Sequence, residues 1–277
     1  MPEMPEVEII RRYLDTQVAG KKIIHLTILL PRMIIWPDVE GFRALVTGRT
    51  IKGMNRRGKY LLMELDNASK VVFHLRMTGR LVYEPAGETS DHHARVIFHL
   101  QDGASLVYGD TRTLGTIHGL KPQELGMLKG LVEMGPEPLS AEFTAEYLYR
   151  TASQRKVAIK SFLLNQKYIG GIGNIYADEA LFLAKLHPQR KACSLNEEEC
   201  IRLHEAVNQV IEAGIKDGGT TFRDYRNGAG GKGTHQEHLY VYHRQGQPCR
   251  ECGVLIEYTK VGGRGTHYCP MCQRIEP

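Results

Sequence analysis

Four cysteines near the C-terminus carry the most specific chemistry in the chain. Cys249-x2-Cys252 and Cys269-x2-Cys272 are separated by sixteen residues, the spacing at which two rubredoxin-like turns gather four thiolates into a tetrahedron around Zn2+. A redox-active or iron-binding cluster is the rival reading, but paired turns on a short polar hairpin are the common structural-zinc arrangement. A closed four-thiolate site leaves no open position for substrate, so one zinc ion folds this ribbon and takes no part in a reaction. Function then lies in what the ribbon displays. Between the cysteine pairs runs Val261-Gly-Gly-Arg264-Gly-Thr266-His267, whose glycines let the backbone around Arg264 approach a phosphate closely. An exposed turn arginine without a ligand fits the local sequence equally well.

Two further segments carry weaker signals. Gly170-Gly171-Ile172-Gly173-Asn174 precedes a predicted helix, and glycines at a helix start offer backbone N–H groups to an anion. Asn174 serves there either as part of a phosphate site or as an N-cap; the glycine spacing is wrong for a dinucleotide fingerprint. At the other end, Pro2 is small enough for the initiator methionine to be removed, which leaves a secondary amine. An α-amino group titrates near about 8 against about 10.4 for lysine, so a neutral fraction is present to attack an aldehyde-type carbon such as C1′ of deoxyribose. Glu3, Glu6 and Glu8 lie beside it, and one of them could move protons. Most Met-Pro-Glu termini do no chemistry, so this reading needs support from the rest of the chain.

The elements that must position these residues change character along the sequence. Residues 5–18 place Val7, Ile10, Leu14 and Val18 at helical spacing, with Gly20 as a stop. Strand-like runs follow at 22–29, 50–54, 60–65, 70–75, 80–83, 95–100 and 105–108, with Asp102-Gly103 as a hairpin signal between the last two. A β-sandwich or barrel results. Gly135-Pro136-Glu137-Pro138 marks a boundary. Helices are predicted near 142–149, 155–165, 175–184 and 196–216, the last with Ile201, His204, Val207, Val210 and Ile211 on one face. The Gly-, Arg- and Asn-rich stretch 217–233 reads as a mobile loop. The expected organisation is α+β and multidomain: 1–134 a β-sandwich with a flanking helix, 135–232 helical, 233–277 the zinc ribbon.

Composition bounds the function without choosing it. Of 277 residues, 42% are hydrophobic and 24% charged, and no run approaches the roughly 20 apolar residues that span a bilayer. A membrane protein is excluded on that pattern. The acidic MPEMPEVEII start is unlike a secretory signal, so a cytoplasmic location is expected. The net charge of +5 favours a polyanionic partner only modestly. Four of six cysteines fall in the last 29 residues while Cys193 and Cys200 stand apart, a metal pattern in a reducing compartment rather than a disulfide framework.

Taken together, these features resemble the formamidopyrimidine-DNA glycosylase family, the 8-oxoguanine DNA glycosylase/AP lyases, and the likeness runs nearly end to end. It rests on Pro2-Glu3-Met4-Pro5-Glu6-Val7-Glu8, Arg56-Arg57-Gly58-Lys59-Tyr60, His74-Leu75-Arg76-Met77, Met134-Gly135-Pro136-Glu137-Pro138, Gly173-Asn174-Ile175-Tyr176 and Gly263-Arg264-Gly265-Thr266. The resemblance implies a β-sandwich N-domain, a helical domain with a helix-two-turns-helix motif, a zinc ribbon, and double-stranded DNA with damaged bases or abasic sites as partner of a monomer. In a bacterium it would be nucleoid-associated. It further implies that Pro2 attacks C1′, that Glu3 moves protons, that Glu6 orients the terminus, and that β,δ-elimination cuts the strand. Lys59, Asn174 and Arg264 would grip phosphates, with Lys59 and Arg264 also candidate proton donors. His93, Arg155 and Lys160 match positions that contact DNA or the lesion.

A base extruded from duplex leaves a hole that side chains must fill. By resemblance Met77 and Arg112 do this, with Leu114 where the family has phenylalanine in Asp110-Thr-Arg112-Thr113-Leu114-Gly115. Thr78 stands where some members have an acidic residue, and His235 where a phenylalanine is usual. These departures predict altered damage specificity rather than altered lyase chemistry. The rivals are an endonuclease VIII-like glycosylase for oxidised pyrimidines and a non-enzymatic damage sensor. Met4 and the Glu-Val-Glu run argue against the first, and Pro2, Glu3, Lys59 and Asn174 against the second.

Overall fold

The computed structural model describes residues 2–223 and 225–275. The chain divides into two compact units, Met1–Val132 with Ile215–Gln236, and Glu133–Gly214 with Glu237–Pro277. The stretch 217–233, expected within the helical part of the chain, thus groups with the first unit.

In the first unit, helix α1 (Met4–Val18) buries Val7, Ile10, Leu14 and Val18 completely, as their spacing of three and four residues requires. Nine strands follow: β1 (Ile23–Ile28), β2 (Ile34–Trp36), β3 (Ile51–Arg57), β4 (Tyr60–Leu65), β5 (Lys70–His74), β6 (Gly79–Glu84), β7 (Ala94–Leu100), β8 (Ser105–Asp110) and β9 (Thr116–Leu120). They form a four-stranded sheet, β1-β7-β8-β6, and a five-stranded sheet, β2-β9-β5-β4-β3. Phe73 of β5 packs edge-on to Phe98 of β7 at 5.8 Å and stacks with Tyr108 of β8 at 6.1 Å. These rings come from different sheets, so the core lies between two layers as a sandwich. The Asp102-Gly103 turn joins β7 to β8 as expected, with the Gly103 N–H donating to Leu100 C=O.

Four helices and strands of the first unit, α2 (Val39–Val46), β2, β9 and α3 (Lys129–Val132), are not predicted from the sequence. Helix α2 (Val39–Val46) is short and capped by Asp38, which accepts from the Gly41 N–H at 2.7 Å; the cap was its available signal. Strand β2 is three residues long and pairs parallel to β9, while Gly119 interrupts the apolar pattern of β9 itself. A single turn, α3 (Lys129–Val132), closes the segment.

The second unit contains α4 (Ala145–Ala152), α5 (Ile159–Leu164), α6 (Asn174–Leu183), α7 (Glu197–Lys216) and the hairpin β10 (Glu257–Val261) and β11 (Arg264–Tyr268). Helix α5 starts at Ile159 rather than near 155 because the preceding backbone pairs elsewhere: the Ala192 N–H donates to Val157 C=O, and the Ile159 N–H to Arg190 C=O. On α7 the buried stripe is Cys200, Leu203, Val207, Val210 and Ile211. Ile201, expected on that stripe, is 47% exposed, because it lies about 100° round the helix from Cys200. Among the described residues no helix is long and apolar enough to cross a membrane.

Candidate functional site

The chain's first residues are held through one carboxylate. Pro2 and Glu3 are buried, and Glu6 is 1% exposed. One oxygen of Glu6 accepts the Glu3 N–H at 2.8 Å and the other accepts the Thr220 N–H at 2.8 Å. Glu6 therefore satisfies a donor at the start of α1 and ties it to a segment 214 residues further along the chain. Gly219, at φ 85°, makes this approach possible; a Cβ there would sit 3.0 Å from Glu6 Cγ. Glu8 takes no such position. Burial alone would raise its carboxyl, but hydrogen bonds from Arg11, Arg12 and Arg56 outweigh burial and hold it down at about 2, which removes Glu8 as a proton carrier near neutral pH.

The stretch expected to be a mobile loop has hydrogen bonds of its own. The Thr234 N–H and hydroxyl both donate to Asp217 C=O, and the His235 N–H donates to Gly219 C=O. His235 is buried, with Nδ1 2.8 Å from Asp217 Oδ2. A phenylalanine there would not make this contact. Further out, the Tyr83 N–H donates to Gly228 C=O.

Lys59 sits in the tight turn between β3 and β4, where Arg57 faces Tyr60, and is 8% exposed. His74, part of the His74-Leu75-Arg76-Met77 motif, has no role assigned from the sequence. Burial, reinforced by the charges of Arg76 and Lys59, pushes its imidazole down to about 3. Its Nδ1 accepts the Arg76 N–H at 3.1 Å, so the neutral ring carries its proton on Nε2 and is a hydrogen-bond donor beside Lys59.

Met77 and Leu114 are 44% and 46% exposed, and Arg112, also exposed, places Nη1 3.4 Å from Met77 Sδ. Buried Asp110 organises this group: it accepts the Arg112 N–H at 3.1 Å, the Gly115 N–H at 2.8 Å and the Thr78 hydroxyl. The Thr78 oxygen in turn accepts the Arg112 N–H. Thr78 thus links the turn bearing Met77 to the turn bearing Arg112 and Leu114. His93 is exposed and lines a cavity with Arg80, Asp91, Arg223 and Arg226.

In the second unit, Gly262 and Gly263 adopt φ of 56° and 76°, the left-handed pair that a two-residue hairpin turn requires, and Arg264 projects exposed from it. Asn174 Nδ2 donates to Gly265 C=O at 2.9 Å. Lys160 lies under the hairpin. It is fully buried, and its ammonium lies 2.6 Å from Asp178 and 2.8 Å from both Gly265 C=O and the Thr266 hydroxyl. The ion pair with Asp178 and the bonds to Gly265 and Thr266 tie Lys160 to the hairpin that carries Arg264. The glycine-rich turn is narrower as an anion cradle than expected, since the Gly170 and Gly171 N–H groups donate to Pro136 C=O and the Gln166 side chain. Arg155 lies over the Tyr168 ring at 5.1 Å. Glu179, absent from the sequence reading, accepts the N–H groups of Tyr240, Val241 and Tyr242 at 2.7 to 2.9 Å.

The sulfurs of Cys249, Cys252, Cys269 and Cys272 lie within 4.8 Å of one another. Cys252 and Cys269 are 3.4 Å apart, Cys249 and Cys272 3.9 Å, bracketing the roughly 3.8 Å edge of a tetrahedron with Zn–S near 2.3 Å. The Glu251 and Cys272 N–H groups point to Cys249 and Cys269 sulfur. This donor set fits one structural zinc ion.

Comparison with known proteins agrees along the chain. Residues 1–117 match the formamidopyrimidine-DNA glycosylase N-terminal domain, 134–226 the H2TH domain of the same glycosylases, and 246–275 a zinc finger found in FPG and IleRS. A formamidopyrimidine-DNA glycosylase of Desulforamulus reducens is 46% identical over 277 residues, covering 100% of both chains. A point mutant of Lactococcus lactis FPG with Fapy-dG-containing DNA, and the L. lactis enzyme with abasic-site DNA, each superpose with a TM-score of 0.92 at 36% identity, covering 99% of this chain and 100% of theirs. The chain belongs to the formamidopyrimidine-DNA glycosylase family.

Proposed function

We propose that this protein excises oxidised or ring-opened purines from duplex DNA and cuts the strand at the resulting site, with Pro2 as nucleophile. The observation that carries this reading is the Glu6 clamp, which holds Pro2 and Glu3 buried at the start of α1 through Glu3 and Thr220. After removal of the initiator methionine, the neutral Pro2 nitrogen bonds to C1′ as the glycosidic bond breaks, and the base leaves with that electron pair and takes up a proton. The Pro2 nitrogen, now cationic, gives up its proton, Glu3 protonates the sugar ring oxygen, and as the ring opens the freed nitrogen lone pair forms a cationic Schiff base. Loss of a C2′ proton then expels the 3′ phosphate, and a second elimination expels the 5′ phosphate. Lys59, Asn174 and Arg264 hold phosphates flanking the extruded nucleotide, with Met77, Arg112 and Leu114 filling the vacated stack.

Duplexes carrying formamidopyrimidine, 8-oxoguanine or an oxidised pyrimidine test this reading. Release of the purine lesions with strand scission is expected, and cleavage confined to oxidised pyrimidines would overturn it. Thr78, Leu114 and His235 favour a shifted preference among the purine lesions; ordinary 8-oxoguanine turnover opposite cytosine contradicts that part alone.

A further inference from the structure

His243 has a φ of 60°, a left-handed conformation uncommon for non-glycine residues and more often kept where a side chain is in use. Its ring is exposed and lines a cavity with Asn174, Tyr242, Tyr258, Gly265 and His267. It stacks on His267, with centroids 5.8 Å and planes 28° apart. His267 meets Tyr242 edge-on at 5.1 Å and lies tilted against Tyr258 at 5.2 Å. The His267 backbone N–H donates to Asp178 at 2.9 Å, and its Nδ1 is 3.5 Å from the same carboxylate. The inner imidazole is therefore a fixed platform, and the outer one is presented to solvent.

The chemistry of the cavity selects an oxyanion. Its lining holds no carboxylate, and Asp178 behind it is paired with Lys160 at 2.6 Å. Two imidazoles and two phenols supply N–H and O–H donors, and the cavity reaches the first residue of α6, a ten-residue helix whose N-terminal end is electropositive. Arg264 is adjacent in sequence to the lining residue Gly265. We propose that His243 contacts a DNA backbone phosphate, as a grip additional to Asn174 and Arg264. The proposal rests on the function given above and adds a contact whose charge depends on protonation of one imidazole.

Affinity for a duplex containing a tetrahydrofuran abasic analogue, measured between roughly 50 and 200 mM salt, reads the contact. The measurement is made at about pH 6, where protonation of an imidazole is favoured over neutral pH. His243→Gly suits the left-handed backbone, so its thermal midpoint should equal or exceed that of the unmodified protein. The expected result is a severalfold loss of affinity at the low-salt end and a salt slope shallower by about 0.9. His243→Asn, which also tolerates this backbone but carries no charge, should show the same shallower slope. Unchanged affinity and slope in His243→Gly would overturn the proposal, as would a salt-independent loss accompanied by a lower thermal midpoint. Failure of the unmodified protein to bind the duplex would overturn the proposed function instead.

Discussion

In the first unit, Pro2 and Glu3 are placed through the Glu6 carboxylate and two backbone N–H groups, one of them in a glycine-rich segment. In the second, Arg264 rides on a hairpin fixed by four thiolates, by the buried Lys160–Asp178 pair and by Asn174. Glu179 anchors the backbone leading into the ribbon through three more N–H groups. The ribbon's small core, Phe182, Val241, Cys249, Ile256 and Cys269, is too slight to fold a hairpin by burial alone, so metal and charge supply the rigidity. The terminus needs no such device. Its helix already packs a full apolar stripe into the sandwich core, and one carboxylate suffices to aim the residues before it.

That contrast ranks the ways of breaking each region. Chelating the zinc, or replacing Cys269 by Ser, should have the largest effect, since structural zinc supplies on the order of 10 kcal/mol to such folds. DNA affinity should collapse in a filter-binding assay while near-UV dichroism from the sandwich aromatics persists. Lys160→Met comes next: it leaves Asp178 buried without its cation, a loss of about 3–5 kcal/mol that denaturant unfolding would register. Glu6→Gln should be milder, about 1–3 kcal/mol, because its amide can accept one of the two N–H groups but turns a donor toward the other. Its signature is slower attack at abasic sites with zinc content unchanged. Thr78→Val should cost about 1 kcal/mol and reduce excision from duplex more than cleavage of a preformed abasic site, with Thr78→Ser restoring excision.

A separate effect concerns pH. His74 has its folded pKa lowered to about 3, so the folded state prefers the neutral ring. Its stabilising contribution is complete above the ordinary imidazole value of about 6.5 and is lost progressively as pH falls toward 3, where the unfolded chain binds the additional proton. His74→Gln should therefore flatten the fall in thermal midpoint between about pH 6.5 and 4.5. An unaltered slope would show that His74 is not held neutral.

What could be read from the sequence follows the same division. The cysteine spacing revealed the zinc site because metal ligation is encoded in local turns, and α1 and most strands were legible from their periodicity. The burial of Lys160 was not legible, because its partner Asp178 lies eighteen positions away on another helix. The roles of Glu6 and Thr78 depend on contacts with Thr220 and Asp110, which only tertiary structure brings together. Ile201 shows a subtler failure: a hydrophobic residue beside the correct stripe, displaced by one position.

Borohydride trapping on abasic-site DNA tests the proposed nucleophile most directly. With the adduct digested and sequenced, the reduced linkage should map to the Pro2 nitrogen and weaken in Pro2→Gly. Linkage to a lysine, or no covalent adduct with the unmodified protein, would contradict it.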